Sequence, residues 1–126
     1  STMSTLKIGM DILAEEKVAI DSLTGHGGLF KTPVVGQRYM AAACNASVTC
    51  MQTAGEGGPY GMALLAAYMA KKTAGESLEN YLSNRVFATA ESTTLAPEEA
   101  DVAGFNAYIE NYKRLLEVER KAVEVI

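Results

Sequence analysis

Several residue types are scarce in this chain, and each scarcity excludes a class of function. One histidine and two cysteines, Cys44 and Cys50, cannot supply the roughly four ligands of a usual zinc site. We therefore predict no metal site in the chain and two buried, reduced thiols. Basic charge is not in excess either: the net charge of −4 argues against nucleic-acid binding, which needs a basic face.

Long apolar runs are also missing. The longest, residues 62–70, has nine residues, far fewer than the roughly 20 that a membrane-spanning helix needs. No basic-then-apolar signal sequence opens the chain. We expect a cytoplasmic protein that binds neither nucleic acid nor membrane, and 126 residues are enough for one domain with a hydrophobic core.

Two glycine-rich loops, residues 25–28 and 55–58, are the most informative features present. Each follows a short β-like run and precedes a helical pattern, which predicts a parallel βαβ unit. Ligands of such units bind at the carboxyl ends of the strands and at the helix N-termini that follow. Free amide donors and the positive end of the helix dipole favour phosphate there. The sequence therefore predicts an α/β domain, a small sheet flanked by helices, with its site at these loops.

The hydrophobic pattern predicts the order of the elements. Helices are expected at residues 6–16, 32–45, 59–72, 78–87 and from 97 onward, strands at 18–23 and 47–53, and a short strand or extended segment within 88–95. Thr32 and Pro33 form a favourable helix start, and Asn45 suits a left-handed helix end. The last helix carries one apolar stripe, which predicts packing on the sheet in preference to a coiled coil: Val102, Phe105, Ile109, Tyr112 and Leu116.

Each candidate site residue has two interpretations. Gly27 and Gly28 either let the backbone approach a ligand or only form a tight turn, since the string fits neither a Walker motif nor the dinucleotide fingerprint. Lys31 and Thr32 either contact a phosphate or ribose, or are a solvated lysine and an ordinary N-cap. Glu56 either reaches a ribose hydroxyl or a metal-bound water, or caps the next helix. His26 is expected to hydrogen-bond within its loop.

The runs at residues 25–43 and 54–67 resemble the C-terminal domain of FGGY carbohydrate kinases, a family that includes xylulokinase, ribulokinase and glycerol kinase. The family's adenosine motif has a glycine pair after a strand, a helix with a glutamine, and a second loop of the type Glu-x-x-Ala-x-Gly-x-Ala. The matching residues here are Gly27, Gly28, Gln37, Glu56, Gly61 and Ala63. The end of the chain, from Pro97 to Tyr112, is similar to the family's terminal helix.

The resemblance implies an actin-like (ribonuclease H-like) ATPase fold, with residues 1–126 a C-terminal nucleotide-binding domain truncated on its N-terminal side. It also implies that Gly27, Gly28 and Leu29 line ATP or ADP, with Thr32 near the ribose or adenine and Glu56 in the second loop. Many members have alanine where this chain has Leu29. No residue matches the family's catalytic aspartate, which is expected upstream, together with the sugar site; Mg²⁺ and the sugar are partners of the full-length parent.

Three functional hypotheses follow from the sequence. The first is the nucleotide half of a sugar kinase acting on a pentulose such as xylulose, with ribulokinase- or glycerol-kinase-like activity as the alternative. The second is a non-catalytic α/β interaction module whose glycine loops are only turns. The third, a self-contained phosphate-binding enzyme, lacks a nucleophile, base or metal cluster. An isolated kinase half is expected to expose an apolar patch, through which a homodimer is an open alternative.

Overall fold

The structure, a computed structural model, describes residues 1–125. The regular elements in chain order are α1 Thr2–Glu15, β1 Ser22–Thr24, α2 Val35–Cys44, β2 Ser47–Met51, α3 Gly57–Lys71, α4 Leu78–Tyr81, β3 Ser92–Leu95 and α5 Glu99–Val125. Two short 3₁₀ turns, Gly28–Lys31 and Ala54–Glu56, follow β1 and β2, and a π-helical turn, Leu82–Val86, continues α4.

The three strands form one sheet in the order β1-β2-β3. β1 runs parallel to β2, with Ser22 opposite Ser47, and the two strands are connected through α2. β3 is antiparallel to β2, with Met51 opposite Ser92. The predicted parallel βαβ unit is confirmed, and the segment 88–95 does contain a strand.

The core lies between β2 and α2. Val48 and Cys50 point to the same side of β2 and are buried, and Ala41 of α2 and Ala54 pack with them. Alanine leaves no long side chain between helix and strand, so the two backbones approach closely enough for a hydrogen-bonded side-chain clamp. That clamp is Gln37, which is only 4% exposed.

Gln37 joins α2 to two strands at once. Its Nε2 donates to the carbonyl of Val48 at 3.0 Å and to that of Thr93 at 2.8 Å. Its Oε1 accepts from the hydroxyl of Thr93 at 3.2 Å. A buried amide is tolerated only when its polar atoms are paired, and here both are.

Helices α1 and α5 pack beside α2. Met3 of α1 and Ile109 of α5 are buried. Arg38 of α2 binds two carboxylates at the start of α5, Glu98 at 3.0 Å and Asp101. The predicted apolar stripe of α5 does pack on the domain, but its main neighbour is α2 and not the sheet as predicted, because α2 itself covers β2.

Two predicted boundaries are wrong for identifiable reasons. The first strand does not begin at residue 18, because Lys17 (φ 59°) and Val18 close α1 in a Schellman motif: their N–H groups donate to Ala14 at 3.0 Å and Leu13 at 2.9 Å. The second helix does not begin at Thr32 and Pro33. There Val34 takes φ 71° and the N–H of Val35 donates to the carbonyl of Pro33 at 2.8 Å, a strained γ-turn.

The predicted end of α2 is confirmed. Asn45 ends α2 in the left-handed conformation, with φ 49°. Cys50 is buried as predicted, whereas Cys44 is only half-buried, and both are free thiols. Among residues 1–125, no helix is long and apolar enough to cross a membrane.

A large part of the apolar surface is open to solvent. The chain exposes 8798 Å², whereas a compact monomer of this mass exposes about 6,500 Å². Helix α3 contributes strongly, since none of its residues is buried and Met62 and Met69 are 74% and 79% exposed. The exposed apolar patch expected for one half of a larger cleft is present.

Candidate functional site

The two glycine loops lie against each other at the carboxyl ends of β1 and β2. The N–H of Gly27 donates to the carbonyl of Ala54 at 2.7 Å, which joins the first loop to the second. A Cβ on Gly57 would lie 3.1 Å from the nitrogen of Gly27, so the loops can meet this closely only because Gly57 has no side chain. Gly27 itself has φ 104°, a conformation that glycine adopts at little cost.

A cleft of about 340 Å³ opens where the loops meet. It is mainly apolar and is lined by His26, Gly27, Gly57, Gly58, Tyr60, Gly61, Leu64 and Phe87. Its volume lies within the range of small-molecule sites, roughly 300–1,000 Å³. A site at the carboxyl edge of parallel strands is the position that the sequence predicts.

The N-terminus of α3 faces this cleft. Gly57 and Gly58, the first two residues of the helix, belong to the lining. The first N–H groups of a helix have no partner within it, and the helix dipole adds partial positive charge there. Because α3 has 15 residues, its N-terminus provides donors and positive potential suited to a phosphate group.

A second, more polar cavity of about 310 Å³ adjoins the cleft and shares Tyr60 and Phe87 with it. Polar groups on its wall include Gln52 and Glu91, whose side chains hydrogen-bond to each other. The two rings therefore separate an apolar compartment from a polar one. Such a pair of compartments suits a ligand with a flat apolar part and a hydroxyl- or amine-bearing part.

Of the five residues predicted to bind nucleotide, the structure places only Gly27 in the lining of the cleft. Gly28 begins the 3₁₀ turn beside it, and a Cβ there would meet nothing within 4 Å. Leu29 is 46% exposed on the same turn, and Thr32 is exposed just after it. The roles of Gly28, Leu29 and Thr32 toward a nucleotide stay predictions.

Glu56 precedes α3 but makes no side-chain capping hydrogen bond, so the expected cap is wrong. Its carboxylate instead lies 3.6 Å from the ammonium of Lys31, across the two loops. Both side chains are more than half exposed, and such surface pairs contribute little to stability. Lys31 is thus a largely solvated lysine, as one interpretation of the sequence predicts, and its ammonium lies beside the second loop.

Sequence reasoning missed the large side chains of the cleft. Tyr60 and Leu64 lie one turn apart on the face of α3 next to the glycines, a spacing that the sequence does contain. Phe87 follows the π-helical turn. Because such a turn has wider hydrogen-bond spacing than an α-helix, it interrupts the hydrophobic period by which a helix face is predicted from sequence. His26 is exposed and lines the cleft, and no hydrogen bond of its side chain occurs within residues 1–125.

The two cysteine thiols are affected by their burial. Burial raises the pKa of the Cys50 thiol, against a smaller opposing effect of a backbone hydrogen bond at Gly25, and burial likewise raises the pKa of Cys44. Both thiols are therefore poor nucleophiles near neutral pH. Within residues 1–125, no three histidine, cysteine or carboxylate side chains come close enough to hold a metal ion, so we assign no Mg²⁺ ligand here.

Comparison with known proteins gives one match. Residues 1–70 match the C-terminal domain of the FGGY family of carbohydrate kinases. No curated protein and no solved structure matches the chain. The match ends at residue 70, so the similarity of residues 97–112 to the family's terminal helix stays a prediction.

The matched segment contains the whole βαβ unit, both glycine loops and nearly all of α3. The small three-stranded sheet with helices is consistent with the sugar-kinase ATPase fold. Carbohydrate kinases of this family are phosphotransferases. The chain belongs to the FGGY family of carbohydrate kinases, with residues 1–70 in the family's C-terminal domain.

Proposed function

We propose that this chain supplies the nucleotide side of the cleft of a cytoplasmic, ATP-dependent sugar kinase. The observation that carries the proposal is the cleft between the two glycine loops, with Gly27 on one side and the N-terminus of α3 on the other. A phosphate group there meets unpaired helix amides, and the absence of Cβ atoms lets it approach the backbone.

The rest of the nucleotide has matching surroundings. Tyr60 and Phe87 offer aromatic surface for a base. The polar cavity behind them offers the amide of Gln52 and the carboxylate of Glu91 to ribose or base groups. The residues present therefore fit an adenine nucleotide, although Leu29 and Thr32 lie outside the lining of the cleft.

The parent reaction in this proposal is transfer of the γ-phosphate of Mg-ATP to a hydroxyl of a pentulose such as xylulose; a ribulokinase- or glycerol-kinase-like substrate is the alternative. No residue of this chain is assigned as the catalytic base. Base, sugar site and Mg²⁺ ligands belong in this proposal to a preceding domain. The role of the present chain is to bind and orient the nucleotide, while closure of the two domains excludes water.

The exposed apolar surface favours this proposal over a self-sufficient interaction module. Such a module is expected to bury its large apolar side chains, whereas Met62, Leu65 and Met69 of α3 are each more than half exposed. A helix of this composition beside a ligand cleft is suited to packing against another domain.

Gly28→Val tests the proposal directly. A Cβ at residue 28 meets no atom within 4 Å and the residue is not among the glycines with positive φ, so valine there should leave the fold intact and place a side chain directly next to Gly27, which lines the cleft. We expect calorimetry to show ADP binding to the wild-type chain and binding at least about tenfold weaker in the variant, because the side chain blocks close approach of phosphate to the backbone.

Gly9→Val is the matched control, since Gly9 lies on α1, outside the cleft, and its Cβ also meets nothing within 4 Å. ADP should bind this control like the wild type. Each titration is repeated with the upstream domain of the parent supplied. The proposed function would be contradicted if the wild-type chain bound no ADP either alone or with the upstream domain. Equal ADP binding by Gly28→Val and the wild type would also contradict it.

A further inference from the structure

Helix α5 carries two apolar faces, and the domain uses only one. The face from Val102 through Ile109 packs toward α1 and α2, as the burial of Ile109 shows. This face continues past Lys113, whose ammonium lies 3.6 Å from Asp11 of α1, to Leu116, its last half-buried residue. The helix then continues to Val125, another nine residues, or roughly 14 Å at 1.5 Å per residue.

The second face runs along this projecting part. Leu115, Val118, Ala122 and Val125 recur at spacings of three and four, the pattern of the a and d positions of a coiled coil. All four are exposed, Leu115 by 63%, Val118 by 65% and Val125 by 85%. We call these four residues the outer stripe. Tyr108, 42% exposed, continues it one heptad toward the domain.

The charges around the outer stripe separate into two groups. Away from the stripe, Lys113 and Arg120 pair within α5 with Glu110 and Glu117. Lys121, which lies beside the stripe at a g position, pairs with Glu124 of its own helix. Beside the stripe, Arg114 and Glu119 take part in no ion pair among residues 1–125. They occupy the g and e positions, five residues apart, at which parallel coiled coils form pairs between helices.

We propose that the outer stripe of α5 is a docking surface for a second copy of this chain, and that the two α5 helices pair as a short parallel coiled coil. In that arrangement the outer stripes face each other, and Arg114 of each copy meets Glu119 of the other. This surface is separate from the nucleotide cleft and does not depend on the proposed function.

The flanking charges also decide the orientation. In an antiparallel pair, g positions face g positions and e positions face e positions, so with the two stripes fully overlapped Lys121 and Glu119 would each face the same residue of the other copy. Like charges at such positions are destabilising and serve to reject the wrong arrangement. Because the stripe spans only about two heptads, the dimer is weak and dissociates on dilution.

Sedimentation velocity over a wide range of concentrations tests the interface. The wild-type chain should sediment as a monomer–dimer mixture that shifts to monomer on dilution. Leu115→Glu combined with Val118→Glu should be monomeric throughout, since it places like charges inside the stripe. Val123→Glu is the control: Val123 lies on the same helix, is 76% exposed and is outside the stripe, so its dimerisation should be unchanged.

A charge-swap cycle tests the partner and the pairing. Arg114→Glu and Glu119→Arg should each raise the dissociation constant by about tenfold, and the double variant should restore it, because the cross-helix pair is rebuilt with its signs exchanged. Val118→Cys should form an intermolecular disulfide on mild oxidation, since parallel pairing places residue 118 opposite its own copy. Circular dichroism checks that each variant remains folded.

A wild-type chain that stays monomeric at every concentration would overturn the proposal. So would equal dimerisation of the Leu115→Glu, Val118→Glu variant and the Val123→Glu control. If the chain dimerised but the double charge swap did not restore the dissociation constant, the parallel arrangement would be wrong. A dimer in which Val118→Cys formed no intermolecular disulfide would lead to the same conclusion, and either result would overturn the proposal as stated.

Discussion

Helices α2 and α3 each follow a strand and a glycine loop, and both are rich in small and apolar residues, yet their surroundings are opposite. α2 buries five of its ten residues, among them Gln37 and Ala41. α3 buries none of its 15, although it contains Met62, Leu65 and Met69. Apolar composition therefore does not decide which helix lies in the core; the number of neighbouring elements does.

The difference follows from topology. α2 packs on β2 and is flanked by α1 and α5, and the Gln37 clamp and the Arg38 ion pairs join it to its neighbours. α3 contacts the 3₁₀ turn that precedes it and, through the ring of Tyr68 against that of Tyr81, helix α4. Within residues 1–125 it packs on no strand of the sheet through an extended contact. The candidate cleft lies at the boundary of these two regions, with Gly27 on the well-packed side and Gly57 to Leu64 on the other. The position of α3 therefore determines one wall of the cleft.

The largest effect that would test this comparison is expected for Gln37→Met. Methionine is similar in volume but cannot donate, so the carbonyls of Val48 and Thr93 lose their side-chain partner in a largely buried site. We expect the free energy of unfolding to fall by about 2–4 kcal/mol, since each buried polar group left unpaired costs about 1–3 kcal/mol. Urea denaturation measures the change.

The reciprocal substitution in α3, Met62→Gln, is the control. Met62 is 74% exposed, so an amide there remains in water, and the free energy of unfolding should change by no more than about 0.5 kcal/mol. If Gln37→Met proved as mild as Met62→Gln, the clamp would not be what distinguishes α2 from α3.

A smaller effect is expected from shortening an apolar side chain in each region. Val48 is fully buried, and Val48→Ala should lower the free energy of unfolding by about 1.5–3 kcal/mol through lost burial and a residual cavity. Leu65→Ala removes more atoms, but Leu65 is 51% exposed on α3, so the loss should stay below about 1 kcal/mol. Thermal unfolding of the two variants gives the comparison, and an equal or larger loss for Leu65→Ala would show that α3 is packed in solution.

The sequence predicted the fold where local patterns and topology agree. Two glycine loops between alternating strands and helices were enough for the parallel βαβ unit, and Asn45 was enough for the end of α2. Strand and helix starts failed where a competing local motif prevailed: the Schellman motif at Lys17 displaced the predicted strand, and the γ-turn at Val34 displaced the predicted helix start. Single-residue propensities do not reveal such motifs, because they depend on bonds between neighbours.

The candidate site was predicted in position but not in composition. Glycines identify where a backbone can approach a ligand, and Gly27 does line the cleft. Tyr60, Leu64 and Phe87 come from α3 and from the π-helical turn, and their convergence depends on how those segments pack. Because that packing depends on tertiary contacts, no local pattern could have specified which side chains of α3 face the loops.

The smallest predicted effect is a loss of stability at low pH, and it arises where α2 contacts the start of α5. The hydrogen bond from Arg38 holds the pKa of Asp101 below its ordinary value of 3.8, and the nearby positive charge adds to this lowering. When a carboxyl group has a lower pKa in the folded state than in the unfolded state, its ionised form stabilises the fold. This stabilisation is complete at pH values above the unfolded-state pKa, and it is lost as the pH falls through the lower, folded-state pKa. Stability that depends on Asp101 is therefore present at pH 7 and is lost below about pH 4.

Melting temperatures of the wild type and Asp101→Asn should differ slightly at pH 7 and converge below pH 4, where protonation removes the same charge. Asp21→Asn is the control, since Asp21 makes no ion pair among residues 1–125, and it should melt like the wild type at pH 7. A difference for Asp101→Asn that persists unchanged to pH 2.5 would mean that the side-chain shape, and not its charge, matters at the junction of α2 and α5. The ion pair would then have no part in holding α2 more firmly than α3.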